Sequence, residues 1–221
     1  MNQPHGVILA GGQASRMGGG DKGFLPLGQG TILSHVIDRL APQVQALALN
    51  ANGDPGRFAD LGLPVLPDSI EGFAGPLAGV LAGLDWAAEE GASHIVTAAA
   101  DTPFFPADLV PQLLHAAETE GKPIALARTE NGRHPTFGLW PCALRDDLRQ
   151  ALTSGIRKVV QWTDSHGTET RTLPTSSFPE ARSSCLMRSR ETSSSGRRLP
   201  IIRRLAGMMS TDCRTSTKIV S

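Results

Sequence analysis

Short apolar runs alternate with helical patterns through the first half of this chain, and that alternation narrows the fold more than any other feature. Residues 7–10, 46–49, 63–66 and 95–100 read as buried strands. Between and after them lie apolar residues at helical spacing. Thr31 is a suitable N-cap for a helix that turns Leu33, Val36, Ile37 and Leu40 to one side. Pro76 stands where a helix opens, followed by Leu77, Val80, Leu81 and Leu84. Another helix follows Pro106, with Leu109, Val110, Leu113 and Leu114 inward and Gly121 as its stop. Residues 124–127 and 136–140 read as later strands, and Leu144, Leu148 and Leu152 mark a helix closed by Gly155. Strands alternating with helices predict an α/β domain built on a mostly parallel sheet.

The strand ends share a property. The first strand runs into glycines after Ala10, the second ends at Asn50, the third before Asp68 and the fourth at Asp101. In open α/β sheets the carboxyl edge of the strands is where ligands bind. Polar or glycine residues at each of these ends carry more weight together than any one of them alone.

The segment Gly11-Gly12-Gln13-Ala14-Ser15-Arg16-Met17-Gly18-Gly19-Gly20-Asp21-Lys22 is too long and too rich in glycine for a tight turn. Glycines allow positive φ and let backbone N–H groups approach an anion. Arg16 and Lys22 add positive charge. A triphosphate calls for that combination, because charge builds on the α-phosphate and on the leaving pyrophosphate. The segment matches neither the GxxxxGK[ST] loop nor the GxGxxG loop. From composition alone, a flexible glycine loop with solvated charges is the alternative.

Asp101 ends an apolar strand and precedes Thr102-Pro103. A carboxylate there suits Mg²⁺ coordinated by phosphate oxygens, or simply caps the next turn. Asn50 and Asp68 suit base and ribose edges, or ordinary Asx turns. Gly75-Pro76-Leu77-Ala78-Gly79 opens a helix with little side-chain bulk, which serves either an anion or helix–sheet packing. His134, before Pro135, reads as a structural loop residue. Arg157 and Lys158 face a second anionic substrate or simply water.

The 221 residues suit one α/β domain, or one domain with a tail, and need no disulfide staples to bury a core. No apolar run reaches the roughly 18 residues of a membrane span, and no basic-then-apolar leader opens the chain. Cys142, Cys185 and Cys213 lack metal-ligand spacing and read as reduced thiols of a cytoplasmic protein. A net charge of zero hides an asymmetry. Residues 1–179 carry 12 Lys+Arg against 18 Asp+Glu, a balance of −6, and residues 180–221 carry 9 against 3, a balance of +6. The expected organisation is a domain over residues 1–179 and a basic Ser/Arg-rich tail over 180–221. That tail has no stable period and the composition of disordered sequence.

As an ordered set, Leu9-Ala10-Gly11-Gly12, Ser15-Arg16-Met17-Gly18, Asp21-Lys22, Asn50-Ala51-Asn52, Asp68-Ser69, residues 75–79, Asp101-Thr102-Pro103 and His134-Pro135-Thr136 resemble the molybdenum cofactor guanylyltransferases, the MobA family. The resemblance covers roughly residues 5–165. It implies a Rossmann-like three-layer α/β/α nucleotidyltransferase fold and transfer of GMP from GTP to molybdopterin carrying molybdenum, with release of pyrophosphate. On that resemblance Leu9, Ala10 and Gly11 bind GTP through the backbone and Lys22 contacts its phosphates; Gly12 and Arg16, read from the glycine loop itself, join them as candidate binding and catalytic residues. Asn50 and Asp68 hold the guanine and ribose side, and Asp101 binds Mg²⁺ and GTP. Gly75, Gly79 and the Arg157 region face the pterin. The partners implied are GTP and molybdopterin, with transient contacts to other molybdenum-cofactor proteins. Neither nucleic acid nor membrane is implied, and the working unit is a monomer.

The pattern departs from the family late in the chain. The family continues with a strand carrying an Asn-x-Asn-Thr-Pro element and a closing helix, and neither is found here. After Pro179 the composition changes abruptly, as in a segment read out of its usual frame or replaced. The competing functions are a cytidylyl- or sugar-phosphate nucleotidyltransferase, and a GTP-binding protein with reduced turnover. The second glycine of Gly11-Gly12 favours the guanylyl reading, since cytidylyl relatives tend to read Leu-Ala-Ala-Gly.

Overall fold

The computed structural model describes residues 3–11, 22–70, 72 and 75–173. In chain order its elements are β1 (His5–Leu9), β2 (Pro26–Leu27), β3 (Gly30–Thr31), α1 (Ile32–Leu40), β4 (Leu47–Asn50), β5 (Val65–Leu66), α2 (Pro76–Glu89), β6 (His94–Ala99), α3 (Leu109–Glu120), β7 (Ala125–Thr129), β8 (Gly132–Pro141), α4 (Arg145–Thr153), α5 (Val159–Ser165) and β9 (Glu169–Thr172). The expected basic tail, its boundary near residue 180, and the positions of Gly12 and Arg16 lie outside the described residues.

The main sheet has the order β5-β4-β1-β6-β8-β7-β9. β8 is antiparallel to both of its neighbours, while the other pairs are parallel, so β8 alone runs against the rest. The expected mostly parallel sheet is therefore present. Side chains along a strand alternate between faces, and β1 shows what this does. Val7 lies in one core cluster with Leu81 and Leu84 of α2, Leu148 of α4 and Trp162 of α5. Ile8 lies in the other cluster, with Leu33, Val36 and Leu40 of α1 and Leu113 of α3. The result is three layers, with helices on both faces of the sheet.

The helix boundaries follow their local chemistry. Thr31 Oγ1 accepts from the Ser34 N–H at 3.1 Å, and Ser34 Oγ accepts from the Thr31 N–H at 2.9 Å. This reciprocal box starts α1 where the sequence places its cap. α3 stops at Gly121, whose φ of 59° suits glycine. Trp140 Nε1 donates to Thr97 Oγ1 at 2.9 Å in the buried seam between β8 and β6.

His134-Pro135 lies in a strand rather than in a loop. β8 spans Gly132–Pro141, and its register with β7 shifts between Leu126 and Ala127. Leu126 pairs with Gly138 and Ala127 with His134, so Pro135 falls in the irregular stretch between these pairs. Proline has no N–H for the ladder and is tolerated there. No helix among the described residues is long and apolar enough to cross a membrane.

Candidate active site

The site is positioned by strand register. Leu66 of β5 pairs with Asn50 of β4, Asn50 with Leu9 of β1, and Leu9 with Ala99 of β6. These residues form one row across four parallel strands. Asp68, Asn52, Gly11 and Asp101 each stand two residues beyond that row. The polar strand ends expected from the sequence thus emerge side by side on one edge.

At the β4–β5 end a carboxylate is held by two amides. Asn50 is 2% exposed, and its Nδ2 donates to Leu66 O at 3.1 Å and to Asp68 Oδ1 at 3.0 Å. Asn52 Nδ2 donates to Asp68 Oδ2 at 2.7 Å, and Asn52 Oδ1 accepts from the Asp68 N–H at 2.9 Å. The amide oxygen of Asn50 faces two glycines. A Cβ on Gly79 would collide with it and with Leu9 Cδ2, and a Cβ on Gly11 would lie 3.1 Å from it. Glycine at both positions leaves room for the Asn50 side chain. The segment expected to face the pterin therefore touches the nucleotide-side asparagine through Gly79.

The β1–β6 end carries the charged groups. The ladder takes the Ala10 N–H, which donates to Asn50 O at 2.9 Å, and the Leu9 carbonyl, which accepts from Ala100 N at 3.1 Å. Gly11 carries the first N–H past these bonds. Beyond the residues outside the description, the chain returns as a 3-10 turn over Lys22–Phe24. Gly23 is buried against Leu33, and a Cβ there would stand 3.8 Å from Ala100 O. Lys22 and Asp101, both exposed, are the chain neighbours of this close approach between Gly23 and Ala100. Asp101 Oδ1 accepts from Thr102 Oγ1 at 3.2 Å.

α2 delivers its N-terminus to the same edge. Gly75 precedes it with φ 152° and ψ 166°, a conformation open to glycine almost alone, and Pro76 takes the first helical position. A Cβ on Gly75 would be 3.7 Å from the Arg157 carbonyl, so these two expected site segments are neighbours. Further along α2, a Cβ on Gly83 would meet Val7 and Ile95. Small residues let the helix lie close on the sheet.

The residue of this cluster that sequence reasoning gave no role is Asn52. It stands in the Asn50-Ala51-Asn52 motif, and a spacing of two in extended chain turns both amides to one side. That spacing was the available signal. Away from this edge, the His134 imidazole lies 2.9 Å from Thr129 Oγ1, and burial holds it below the ordinary histidine value.

Among the described residues no group of three His, Cys, Asp or Glu side chains is placed to hold a metal. Among the described residues, Asp101 is the exposed carboxylate at this end. One carboxylate completed by substrate phosphates and water is a usual Mg²⁺ arrangement, so this donor set fits such an ion.

A three-layer fold whose sheet carries a carboxylate–amide cluster at one end of its carboxyl edge, and Lys22 with Asp101 toward the other, has the frame of a nucleotidyltransferase-type protein. Solved structures share the fold. Molybdopterin-guanine dinucleotide biosynthesis protein A from Archaeoglobus fulgidus superposes with a TM-score of 0.61 at 20% identity, over 76% of this chain and 83% of that one. A 4-diphosphocytidyl-2C-methyl-D-erythritol synthase from Anaerococcus prevotii superposes with a TM-score of 0.63 at 11% identity, over 84% and 93%. Residues 6–169 match the family model of the MobA-like NTP transferase domain. Molybdenum cofactor guanylyltransferase from Mesorhizobium japonicum is 54% identical over 164 residues, covering 73% of this chain and 79% of that protein. The protein of the same name from Bradyrhizobium is 54% identical over 172 residues, covering 76% and 81%. The chain belongs to the MobA-like NTP transferase family, and within it to the molybdenum cofactor guanylyltransferases.

Proposed function

We propose that this protein transfers GMP from GTP to the phosphate of molybdopterin carrying molybdenum, forming the guanine dinucleotide cofactor and pyrophosphate. The observation that carries this reading is the common row Leu66–Asn50–Leu9–Ala99, which brings Asn50 and Asp68 to one end of an edge and Gly11 and Asp101 toward the other, an order that supports a base at the first and phosphates at the second. The Asp68 carboxylate accepts hydrogen bonds only, and guanine offers two adjacent donors, N1–H and the 2-amino group. The Gly11 N–H and Lys22 lie at the charged end, where the triphosphate would sit.

An acceptor phosphate oxygen attacks the α-phosphorus while the bond to the bridging oxygen of pyrophosphate breaks. Such a displacement needs alignment and charge neutralisation more than a covalent nucleophile. Lys22 stabilises negative charge on the leaving pyrophosphate. Asp101 would hold Mg²⁺, which when bound supplies further neutralisation on the phosphate oxygens. Gly75, Gly79 and Arg157 border the α2 end of the edge, where the pterin would approach. The reading includes Mg²⁺ as the metal, a monomer as the working unit and the cytoplasm as the compartment.

The test is pyrophosphate release with GTP, Mg²⁺ and molybdopterin. Asp101→Ala should lower the rate by about a hundredfold or more, the scale of losing one electrostatic stabiliser of the transition state. Lys22→Ala should lower it as well. Tighter Mg²⁺-dependent binding of CTP than of GTP would overturn the guanylyl assignment.

A further inference from the structure

Asp68 is fixed more firmly than an ordinary loop carboxylate. Each of its oxygens already receives one amide hydrogen, Oδ1 from Asn50 at 3.0 Å and Oδ2 from Asn52 at 2.7 Å. Asn52 grips it twice, because its own Oδ1 takes the Asp68 N–H at 2.9 Å. The side chain and the backbone of Asp68 are therefore tied to one amide. Neither can turn without breaking a bond to Asn52.

Asn50 and Asn52 differ in what holds them. Asn50 is buried between strand ends and shares its amide with Leu66 O. Asn52 is exposed, and an exposed asparagine left to itself samples several rotamers. Here it is anchored from behind. Arg57 Nη2 donates to Asn52 O at 2.6 Å, and the Arg57 guanidinium lies 4.6 Å from the centre of the Phe58 ring. Phe58 is buried, and Phe24 stacks on it with ring centres 5.5 Å apart. Phe24 closes the 3-10 turn that begins at Lys22. Contacts thus run from the Lys22 turn through Phe24, Phe58 and Arg57 to the backbone of Asn52, the residue whose side chain grips Asp68.

We infer that Asn52 is a positioning residue for nucleotide recognition: it holds the Asp68 carboxylate in the orientation that receives the base, and so sets affinity for GTP without touching the reacting atoms. The inference rests on the GTP reading above. A pre-oriented acceptor binds more tightly because little ordering remains to be done on binding. Each Asp68 oxygen accepts one amide hydrogen and keeps further acceptor capacity, which a base's donors would use. The base lies far from the reacting phosphorus. Loss of the grip therefore weakens ground state and transition state alike, which raises KM and leaves kcat nearly unchanged.

The experiment is equilibrium binding of GTP with Mg²⁺ to the full chain, which needs no pterin. It compares wild type, Asn52→Ala, Asp68→Ala and the double variant, alongside thermal unfolding of each and steady-state kinetics with molybdopterin. Asn52→Ala should weaken GTP binding about tenfold, the scale of one hydrogen bond to a charged group, with kcat near wild type. On the Asp68→Ala background the same change should cost nothing further, because no carboxylate is left to orient. Asn52→Asp keeps the size, loses the donor and sets two carboxylates together, so it should weaken binding at least as much; it also serves where Asn52→Ala fails to fold. Unchanged GTP binding in either Asn52 variant overturns the inference. So does an equal loss on both backgrounds, or a fall in kcat matched by a fall in thermal stability. A wild-type chain that binds no GTP removes the guanylyl reading itself, and this inference with it.

Discussion

Ser69 Oγ donates to Asp85 Oδ2 at 2.6 Å, tying the residue after Asp68 to the middle of α2. Arg149 Nη2 of α4 reaches both oxygens of the same carboxylate, at 2.7 and 2.8 Å. One half-buried aspartate thus joins a loop of the candidate-site edge to two helices. Asp85→Ala should lower unfolding stability by roughly 1 kcal/mol, a modest figure because Arg149 stays partly in water. Asp85→Asn keeps an oxygen for Ser69 and should lose less. Urea unfolding of the two variants measures the difference.

The two glycines of α2 that face the sheet should respond differently. A Cβ on Gly79 strikes the Asn50 amide oxygen and Leu9, so Gly79→Ala displaces a side chain that holds Asp68. Gly83→Ala meets Val7 Cγ2 at 2.7 Å and Ile95 Cδ1 at 3.0 Å, inside the core. Gly79→Ala should weaken GTP binding more than tenfold, the scale of losing a charged hydrogen bond. Gly83→Ala should instead cost about 1–3 kcal/mol of stability through overpacking, with GTP affinity nearly kept. Calorimetric titration and thermal unfolding separate the two.

His134 gives the fold a dependence on pH. Burial lowers its folded value below that of the unfolded chain, so the unfolded state takes up the proton first as pH falls. The contribution to stability is complete above the unfolded value of about 6.5 and is lost as pH falls through the folded one. Burial lowers His94 too, so the wild-type slope has more than one source. His134→Gln should therefore shrink the drop in urea midpoint between neutral and mildly acid pH without abolishing it. An unchanged drop would remove His134 from the account.

Periodicity and capping chemistry made much of this fold legible. α1 begins at Thr31 and α3 ends at Gly121, because a capping hydroxyl and a left-handed glycine leave marks that one residue type carries. The strand ends at Asn50, Asp68 and Asp101 were legible because buried parallel strands are apolar until they reach the ligand edge. β2 and β3, of two residues each, show no period at all. α5 spans 7 residues, too few to establish a helical period although Val159 and Trp162 are buried, and β9, paired with β7 at the edge, is polar throughout. His134-Pro135 misled because proline argues against a strand, and only the register shift opposite Leu126 makes room for it. In the site, single residues could be chosen but their pairings could not. The Asn52–Asp68 grip depends on β4 and β5 lying side by side, which no local stretch of sequence states.

The shared row of strand ends also acts as a ruler. From β5 to β6 it crosses three inter-strand gaps, roughly 14 Å in all, and that length is fixed by main-chain hydrogen bonding. Side-chain substitution changes which chemical groups stand at the two marks but not the distance between them. On the proposed reading, a change at residues 50, 52 or 68 would retune which base is read, while the phosphates would still arrive beside Lys22 and Asp101. Specificity can therefore drift among proteins with this frame while the geometry of group transfer stays put. An inserted residue inside any of the four strands would shift one mark against the others, and should disable the site more thoroughly than replacing any single side chain.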